Sequence, residues 1–443
     1  MNHRRIDYGA LIKRDKVHSS LYTDSEIFAD ELDKIFHRGW VYVGHAGEVP
    51  NPGDFRLSRI GRQPVIMARG QDGELRLMLN RCRHRASTVC QVEHGNAATF
   101  RCAYHGWTYR NNGELAGVPY QDAYGDSFRK EDFGLTRVPR METYRGFIFG
   151  SMAPAGITLD DHLGAAAKEQ IDLFTDLSPV GELEVRAGTN KFDYSGNWKF
   201  QIENAMDGYH PNFSHETFLD MIQGQTGVRL DVFNGNSAGE ARDLGNGHVM
   251  LDYRRYNREY GERMRAVLPT TPADNDYRAR VEARLGVERA AEVLNAGGTH
   301  TFVFPNLILI GVQIRVAHPV AVDYTEVTLH PTLLKGVAPE LNAARLRGHE
   351  AFFGAAGMGQ PDDVEMFARM RDGMQATLDP WIYLGRGMDR ERRDPADGTL
   401  VGQMTDEITL RGIFAHYKKV MSQSGPAAVR ARRAPAGVAA RAR

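Results

Sequence analysis

The sequence predicts an α+β fold in two parts, a small all-β domain inserted in a larger domain built on an antiparallel sheet with helices. A chain of 443 residues is long for one hydrophobic core and comfortable for two. From about Asp54 to Phe149 short β-rich runs (VIMAR, LRLML, ATFRC, GFIFG) are punctuated by turn formers such as Asp72-Gly73 and Asn111-Asn112-Gly113. Farther on, strand-like stretches alternate with helical ones, which argues for a second, mixed domain.

Taken in order, the N-terminal MNHRRIDYGALIKRDK carries charges throughout and no apolar signal-peptide core, and no uncharged run reaches the roughly 18 residues that span a bilayer. A cytoplasmic protein is expected. Residues 160–180 read as a helix with Leu163, Ile171, Leu173 and Phe174 on its apolar face, ending near Ser178-Pro179 at a plausible domain junction. The segments GELEVRAGTNKFDYSGNWKF, TFVFPNLILIGVQIRVAHP and AVDYTEVTLHP read as strands, with helices near 199–210, 272–295, 338–353 and 361–376. The final SGPAAVRARRAPAGVAARAR lacks both acidic residues and apolar period and is expected to be a disordered basic tail.

Composition excludes some partners. With 55 basic and 56 acidic side chains there is no net field to draw nucleic acid or an anionic membrane. The three cysteines, Cys82, Cys90 and Cys102, are an odd number and too sparse to staple a chain of this size. Metal ligation explains them better.

The strongest local signal is Cys82-Arg83-His84, followed after seventeen residues by Cys102-Ala103-Tyr104-His105. Two Cys-His pairs on separate β-loops can close on one metal centre. Thiolates hold ferric iron, and neutral imidazoles on the second iron of a 2Fe-2S cluster remove negative charge and raise its reduction potential. A zinc-binding structural protein could use the same four ligand types, although zinc sites usually group the cysteines and then the histidines. Cys90 lies outside the pattern and reads as a small buried apolar residue.

A second constellation runs from Asn197 to His215. Positions five apart on a helix diverge by roughly 140°, so His210 and His215 share a face only if the helix breaks between them, and Pro211 invites that break. Most of the sixteen histidines need no special reading; two that flank a helix break beside Asp207 do. Two histidines and a carboxylate on one face of Fe(II) leave positions open for O₂ and water.

CRHRASTVC and CAYHGWTYRNNGEL resemble the Rieske signature C-x-H-R-x…C-x-Y-H-G-W. ENAMDGYHPNFSH resembles the E-N-x-x-D-x-Y-H-x-x-x-x-H segment of ring-hydroxylating dioxygenase large (alpha) subunits, and the likeness runs from about Tyr22 to Tyr417. The resemblance implies a Rieske domain at 39–158, inserted in a catalytic domain at 159–423 whose curved antiparallel sheet is covered by helices, the helix-grip or Bet v 1-like type. An N-terminal helical segment at 1–38 is expected to pack on the catalytic domain, and the tail occupies 424–443.

By the same resemblance Cys82, His84, Cys102 and His105 hold a 2Fe-2S cluster, and His210, His215 and a downstream carboxylate hold mononuclear Fe(II). Gly359-Gln360-Pro361-Asp362-Asp363-Val364-Glu365 answers the family's D-D-x-E segment. It implies Asp363 as the ligand, with Glu365 as fallback and Asp362 as a residue of a helix N-terminus. Asp207 is expected to bridge His210 to His105 of the partner subunit in a trimer, and Glu407 to meet His84 of the partner subunit. Met206, Leu307, Phe353 and Met358 are expected around the substrate.

The reaction implied is hydroxylation of an aromatic substrate with O₂, by cis-dihydroxylation or, with the same ligands, by monooxygenation or O-demethylation. Electrons would come from an NAD(P)H-dependent reductase, with a ferredoxin and a small beta subunit as further partners. No cationic residue stands out as the partner of a substrate carboxylate, so benzoate-like and polycyclic substrates stay open.

Overall fold

Tight turns and strict alternation build the first domain. The strand Gln63–Arg69 pairs with Asp54–Ile60 on one side and Leu75–Leu79 on the other, and His94–Asn96 completes a four-stranded antiparallel sheet. Gly73, in the Asp72-Gly73 turn, has φ +83°, which glycine adopts without a Cβ penalty. Side chains of a strand point alternately to its two faces. Ile66 and Ala68 therefore pack with Cys82, Cys102, Trp107 and Tyr109, while Val65 and Met67 pack with Val43 and Ile148. Two three-stranded sheets accompany it: Thr99–Arg101, Thr108–Arg110 and Leu115–Gly117, and Arg140–Tyr144, Phe147–Ser151 and Val41–His45.

The computed structural model describes residues 6–234, 237–267 and 270–423; the tail expected at 424–443 lies outside the described residues. The larger domain is organised by a nine-stranded antiparallel sheet. Its order is Asn190–Tyr194, Tyr324–Pro331, Gln313–Ala321, Leu307–Ile310, His300–Val303, His248–Asp252, Glu240–Gly245, Leu400–Gln403 and Arg392–Arg393. One face buries Val303, Leu307, Leu309, Ile314 and Val316 with the helix Leu159–Asp176 through Leu163, Ile171 and Phe174. The other buries Phe302, Ile308, Val327 and Leu329 together with Trp198, Phe200 and Phe367. Fully burying a side chain such as Leu or Phe stabilises the fold by about 1.5–3 kcal/mol. The two helices carrying those last residues, Trp198–Ala205 and Gln360–Gly373, bring the second constellation to that face.

Some elements differ from expectation. The helix expected over 272–295 is two, Pro272–Leu285 and Val287–Ala296, because Gly286 between them adopts φ +79°. The helices Glu216–Thr226, Arg254–Val267 and Ile408–Met421 add to those the sequence predicts.

The N-terminal residues are tied into the larger domain. Lys16–His18 pairs with Trp381–Tyr383. Glu31, fully buried, accepts hydrogen bonds from Trp198 Nε1 at 2.9 Å, Lys199 Nζ at 2.5 Å and Tyr417 Oη at 2.7 Å. Tyr22 Oη donates to Glu203 at 2.8 Å. A buried charge needs such partners, and this cluster provides them.

Candidate active site and metal centres

The two Cys-His pairs sit on loops with one backbone pattern. Cys82 N–H donates to Ser87 O and Ala86 N–H returns to Cys82 O; Cys102 N–H donates to Trp107 O and Gly106 N–H returns to Cys102 O. The fourth residue after each cysteine lies in the left-handed region, Ala86 at φ +63° and Gly106 at φ +71°. These matched turns bring the His84 and His105 rings to 4.5 Å between centroids. His84 stacks on Trp107 at 5.2 Å with an 8° tilt, and its Nε2 lies 3.5 Å from Tyr124 Oη.

Its Nδ1 is buried without a hydrogen-bond partner, and Cys82 and Cys102 are buried free thiols. An orphaned imidazole nitrogen beside two such thiols fits a group that takes nitrogen and sulfur ligands. Tyr109 Oη, 3.3 Å from Cys82 Sγ and accepting from Arg83 N–H at 3.0 Å, fixes the first loop. Cys90 is held elsewhere: its backbone N–H and C=O both bond the Asn80 side chain.

The helix Trp198–Ala205 is capped by Asn197, whose side chain accepts from Lys199 N–H. It stops well before His210. The chain turns through Gly208, where a Cβ would fall 2.2 Å from the Met404 carbonyl oxygen. A short helix Pro211–Ser214 follows, and His215, at φ −112° and ψ 25°, leaves the helical path. The breaks thus fall before His210 and at His215, not at Pro211. Proline suits the first position of a helix, where its missing N–H would have no partner in any case.

This path brings three side chains together. His215 Nε2 lies 3.2 Å and His210 Nε2 3.6 Å from Asp363 Oδ1, and one ligand atom from each of the three lies within 4.8 Å of the others. Burial opposes charge on both His215 and Asp363, yet their hydrogen bond and mutual attraction prevail. The Asp363 carboxyl is held below the usual range and the His215 imidazole is raised, with Asp362 adding to the latter. Two nitrogens and one carboxylate oxygen grouped so closely fit a ferrous ion with open positions. Asp362 does more than sit at a helix start, since its Oδ2 is 3.4 Å from His215 Nδ1 and orients that ring. Glu365, paired with Arg369 on the surface, stands apart.

Asp207 Oδ2 approaches His210 Nδ1 to 3.7 Å, while its Oδ1 accepts from Tyr209 N–H at 2.6 Å. Glu407 lies close enough to Asp207 to be affected by its charge: burial pushes its carboxyl up, Arg386 N–H at 2.9 Å pulls it down, and Asp207 pushes it up further.

Of the residues expected around the substrate, Met206 is fully buried beside the site, its carbonyl accepting from Thr409. Phe353 lies over the guanidinium of Arg315 at 4.9 Å, and Met358 is half-buried in the turn before the Asp363 helix. Leu307 is a correction. It packs with Val303, Val316 and the helix Leu159–Asp176 on the far face of the sheet, so its neighbour Ile308 faces the site instead. A shift of one residue along a strand reverses the face.

Three residues close to the site escaped sequence reading. Asn204 Nδ2 donates to Asp363 Oδ1 at 2.9 Å and lies 3.3 Å from His210 Nε2; its place one turn before Asp207 was the available signal. His300 is pushed down to about 3 by burial, against a hydrogen bond with the Ala205 backbone and with the Arg315 charge adding to the fall, and stays neutral with Nδ1 2.6 Å from Tyr253 Oη. The third is Arg315.

A fold of this kind, with a cluster-binding β domain and two histidines and a carboxylate beneath a nine-stranded sheet, defines an iron-dependent oxygenase. The chain belongs to the aromatic ring-hydroxylating oxygenases, as a large (alpha) subunit: residues 39–142 match the Rieske [2Fe-2S] domain and residues 181–422 the ring hydroxylating alpha subunit (catalytic domain). It is similar to the 2-halobenzoate 1,2-dioxygenase large subunit of Burkholderia cepacia, 36% identical with 85% of this chain and 81% of that one covered. It is also similar to the anthranilate 1,2-dioxygenase large subunit of Acinetobacter baylyi, at 33% identity with 93% and 88% covered. A crystal structure of naphthalene 1,2-dioxygenase bound to phenanthrene superposes with a TM-score of 0.81 at 27% identity, covering 96% of each chain. The protein is therefore an oxidoreductase with a Rieske 2Fe-2S cluster and a mononuclear iron as cofactors. No helix among the described residues is long and apolar enough to cross a membrane.

Proposed function

We propose that this chain is the terminal oxygenase of a multicomponent system that cis-dihydroxylates an aromatic carboxylate, taking electrons from NAD(P)H through a reductase, directly or by way of a ferredoxin. The convergence of His210, His215 and Asp363 beneath the sheet carries the reading. The substrate class follows the halobenzoate and anthranilate named for two relatives. When bound, the cluster supplies electrons one at a time and the mononuclear iron activates O₂.

The rest falls to side chains. Cys82, His84, Cys102 and His105 would hold the cluster, and His210, His215 and Asp363 the iron. Asn204 and Asp362 fix the orientation of Asp363 and His215 by hydrogen bonds. Asp207 Oδ2 faces His210 Nδ1 across 3.7 Å, on the side away from Asp363, and in a trimer would reach His105 of the partner subunit. Exposed aromatic side chains near each centre, Tyr104 and Tyr124 by the cluster and Tyr209 and Phe213 by the iron ligands, support such an interface. Glu407 would act beside Asp207 at the same junction, and a small beta subunit would stabilise the ring.

The test is to supply reductase and NADH to the purified iron-loaded protein with ¹⁸O₂ and benzoate or anthranilate, then identify the product. A cis-diol carrying both labelled atoms is expected. A product with one labelled atom would make the enzyme a monooxygenase, and uncoupled NADH oxidation with every aromatic acid and hydrocarbon would end the oxygenase reading.

A further inference from the structure

Arg315 lies on an interior strand of the sheet, Gln313–Ala321, opposite Ile308 on one neighbouring strand and Leu329 on the other. Both of those partners belong to the apolar cluster on the face that carries the iron ligands. The arginine is 1% exposed. Among the described residues its side chain makes no hydrogen bond and no ion pair, and its Nε and Nη2 are buried without a partner.

Such a group is costly to keep. An arginine stays protonated in proteins, and a buried cation with open donors is strongly disfavoured unless an anion or a set of acceptors meets it. Asp363 is near enough to be felt electrostatically, but the two do not form an ion pair, and Asp363 is already engaged by His210, His215 and Asn204. The remaining contact of the guanidinium is the Phe353 ring at 4.9 Å, and a cation over a ring keeps its in-plane donors free.

Rings connect this arginine to the iron ligands. Phe353 packs on Phe352 at 4.6 Å, and Phe352 on His215 at 5.0 Å. Gln313, two residues back and so on the same face, has its Nε2 buried without a partner as well, while its Oε1 lies 3.2 Å from His349 Nε2. A planar apolar ligand bearing one anionic group would meet aromatic walls near His215 and open donors at Arg315 and Gln313. A guanidinium matches a carboxylate with two parallel hydrogen bonds.

We infer that Arg315 is the specificity-determining residue of this enzyme and binds the carboxylate of an aromatic acid substrate, with Gln313 beside it. The inference names the substrate anchor of the site assigned under the proposed function and rests on that reading for the word substrate. It does not require turnover, because the anion is bound by the chain's own side chains.

The experiment uses the iron-loaded protein, wild type and Arg315→Met, titrated calorimetrically with benzoate and with its neutral methyl ester. Benzoate is expected to bind the variant at least about 30-fold more weakly, the usual scale for removing one partner of a buried charged hydrogen bond, while the ester changes less than threefold. Arg315→Lys should recover part of the benzoate affinity. Without ligand, Arg315→Met should melt no lower than wild type, since an unpaired buried charge is removed, and benzoate should no longer raise its melting temperature.

Equal losses for acid and ester, or a variant that melts several degrees lower with unchanged benzoate affinity, would reduce Arg315 to a packing role and overturn the inference. If wild type oxygenates a neutral arene but does not bind benzoate, the anchor fails and the oxygenase stands. If benzoate binding depends on Arg315 but no aromatic compound is oxygenated by reduced, iron-loaded enzyme, the anchor stands and the oxygenase reading fails.

Discussion

Lys199 and Glu31 form a buried ion pair, Nζ to Oε1 at 2.5 Å, that joins the N-terminal segment to the helix leading into the iron ligands. Trp198 and Tyr417 donate to the same carboxylate, so its removal leaves three buried donors open. Glu31→Ala is expected to cost about 3–5 kcal/mol, as when one partner of a buried pair is deleted. Urea denaturation followed by tryptophan fluorescence reads this directly, and a loss within about 1 kcal/mol, the range of an exposed pair, would show that the pair is not stabilising.

Glu203, one turn farther along that helix, is pushed up to about 8 by burial, against the pull of the Tyr22 hydrogen bond and the Lys199 charge. The folded state therefore keeps a proton that the unfolded state releases near 4.5. Since the folded state binds more protons between those values, stability falls as pH rises from about 4.5 to 8 and levels off above. Glu203→Gln retains an oxygen to accept from Tyr22 and removes the titration. Melting curves across pH should show the variant gaining on wild type through that window, by up to a few kcal/mol. Parallel profiles would mean that Glu203 is ionised in the folded protein.

For Asp207→Ala, both metal contents should remain normal while product formation drops about 10–100-fold, the scale for losing a partner that orients a ligand. Cluster absorbance, iron analysis and turnover measured on one preparation separate this from misfolding. Near-normal turnover would refute a bridge through this carboxylate.

The two metal centres should be separable by substitution. His215→Ala is expected to lose mononuclear iron by more than the roughly 10–100-fold in affinity that an outer partner commands, with the visible Rieske spectrum intact. Cys102→Ser should abolish that spectrum. Retention of the spectrum would mean that the thiolate of Cys102 is not a ligand.

The parts of this protein that are readable from sequence are the local ones. Cys82 and His84 are near neighbours, as are Cys102 and His105, and each pair lies in a short loop whose partners sit within five residues. Asp363 is far from His210 in the chain, and only its likeness to a family segment singled it out. The sequence around Pro211 misled because proline marks both the end of one helix and the first position of another, and the backbone used the second option. Leu307 and Ile308 are equally apolar, and which of them meets the site depends on a strand register absent from the residues themselves. Arg315 could not be found because the run QIRVAHP gives no hint of its burial; the two flanking strands and Phe353 create that environment.

Arg315 shares its strand with Ile314 and Val316, whose side chains serve the opposite, structural face. Appetite and architecture are thus written in alternating letters of one word, and evolution can revise the first without misspelling the second. A library varied at Gln313 and Arg315 alone should yield folded enzymes of altered diet, whereas the same diversity moved one residue along should mostly yield aggregates.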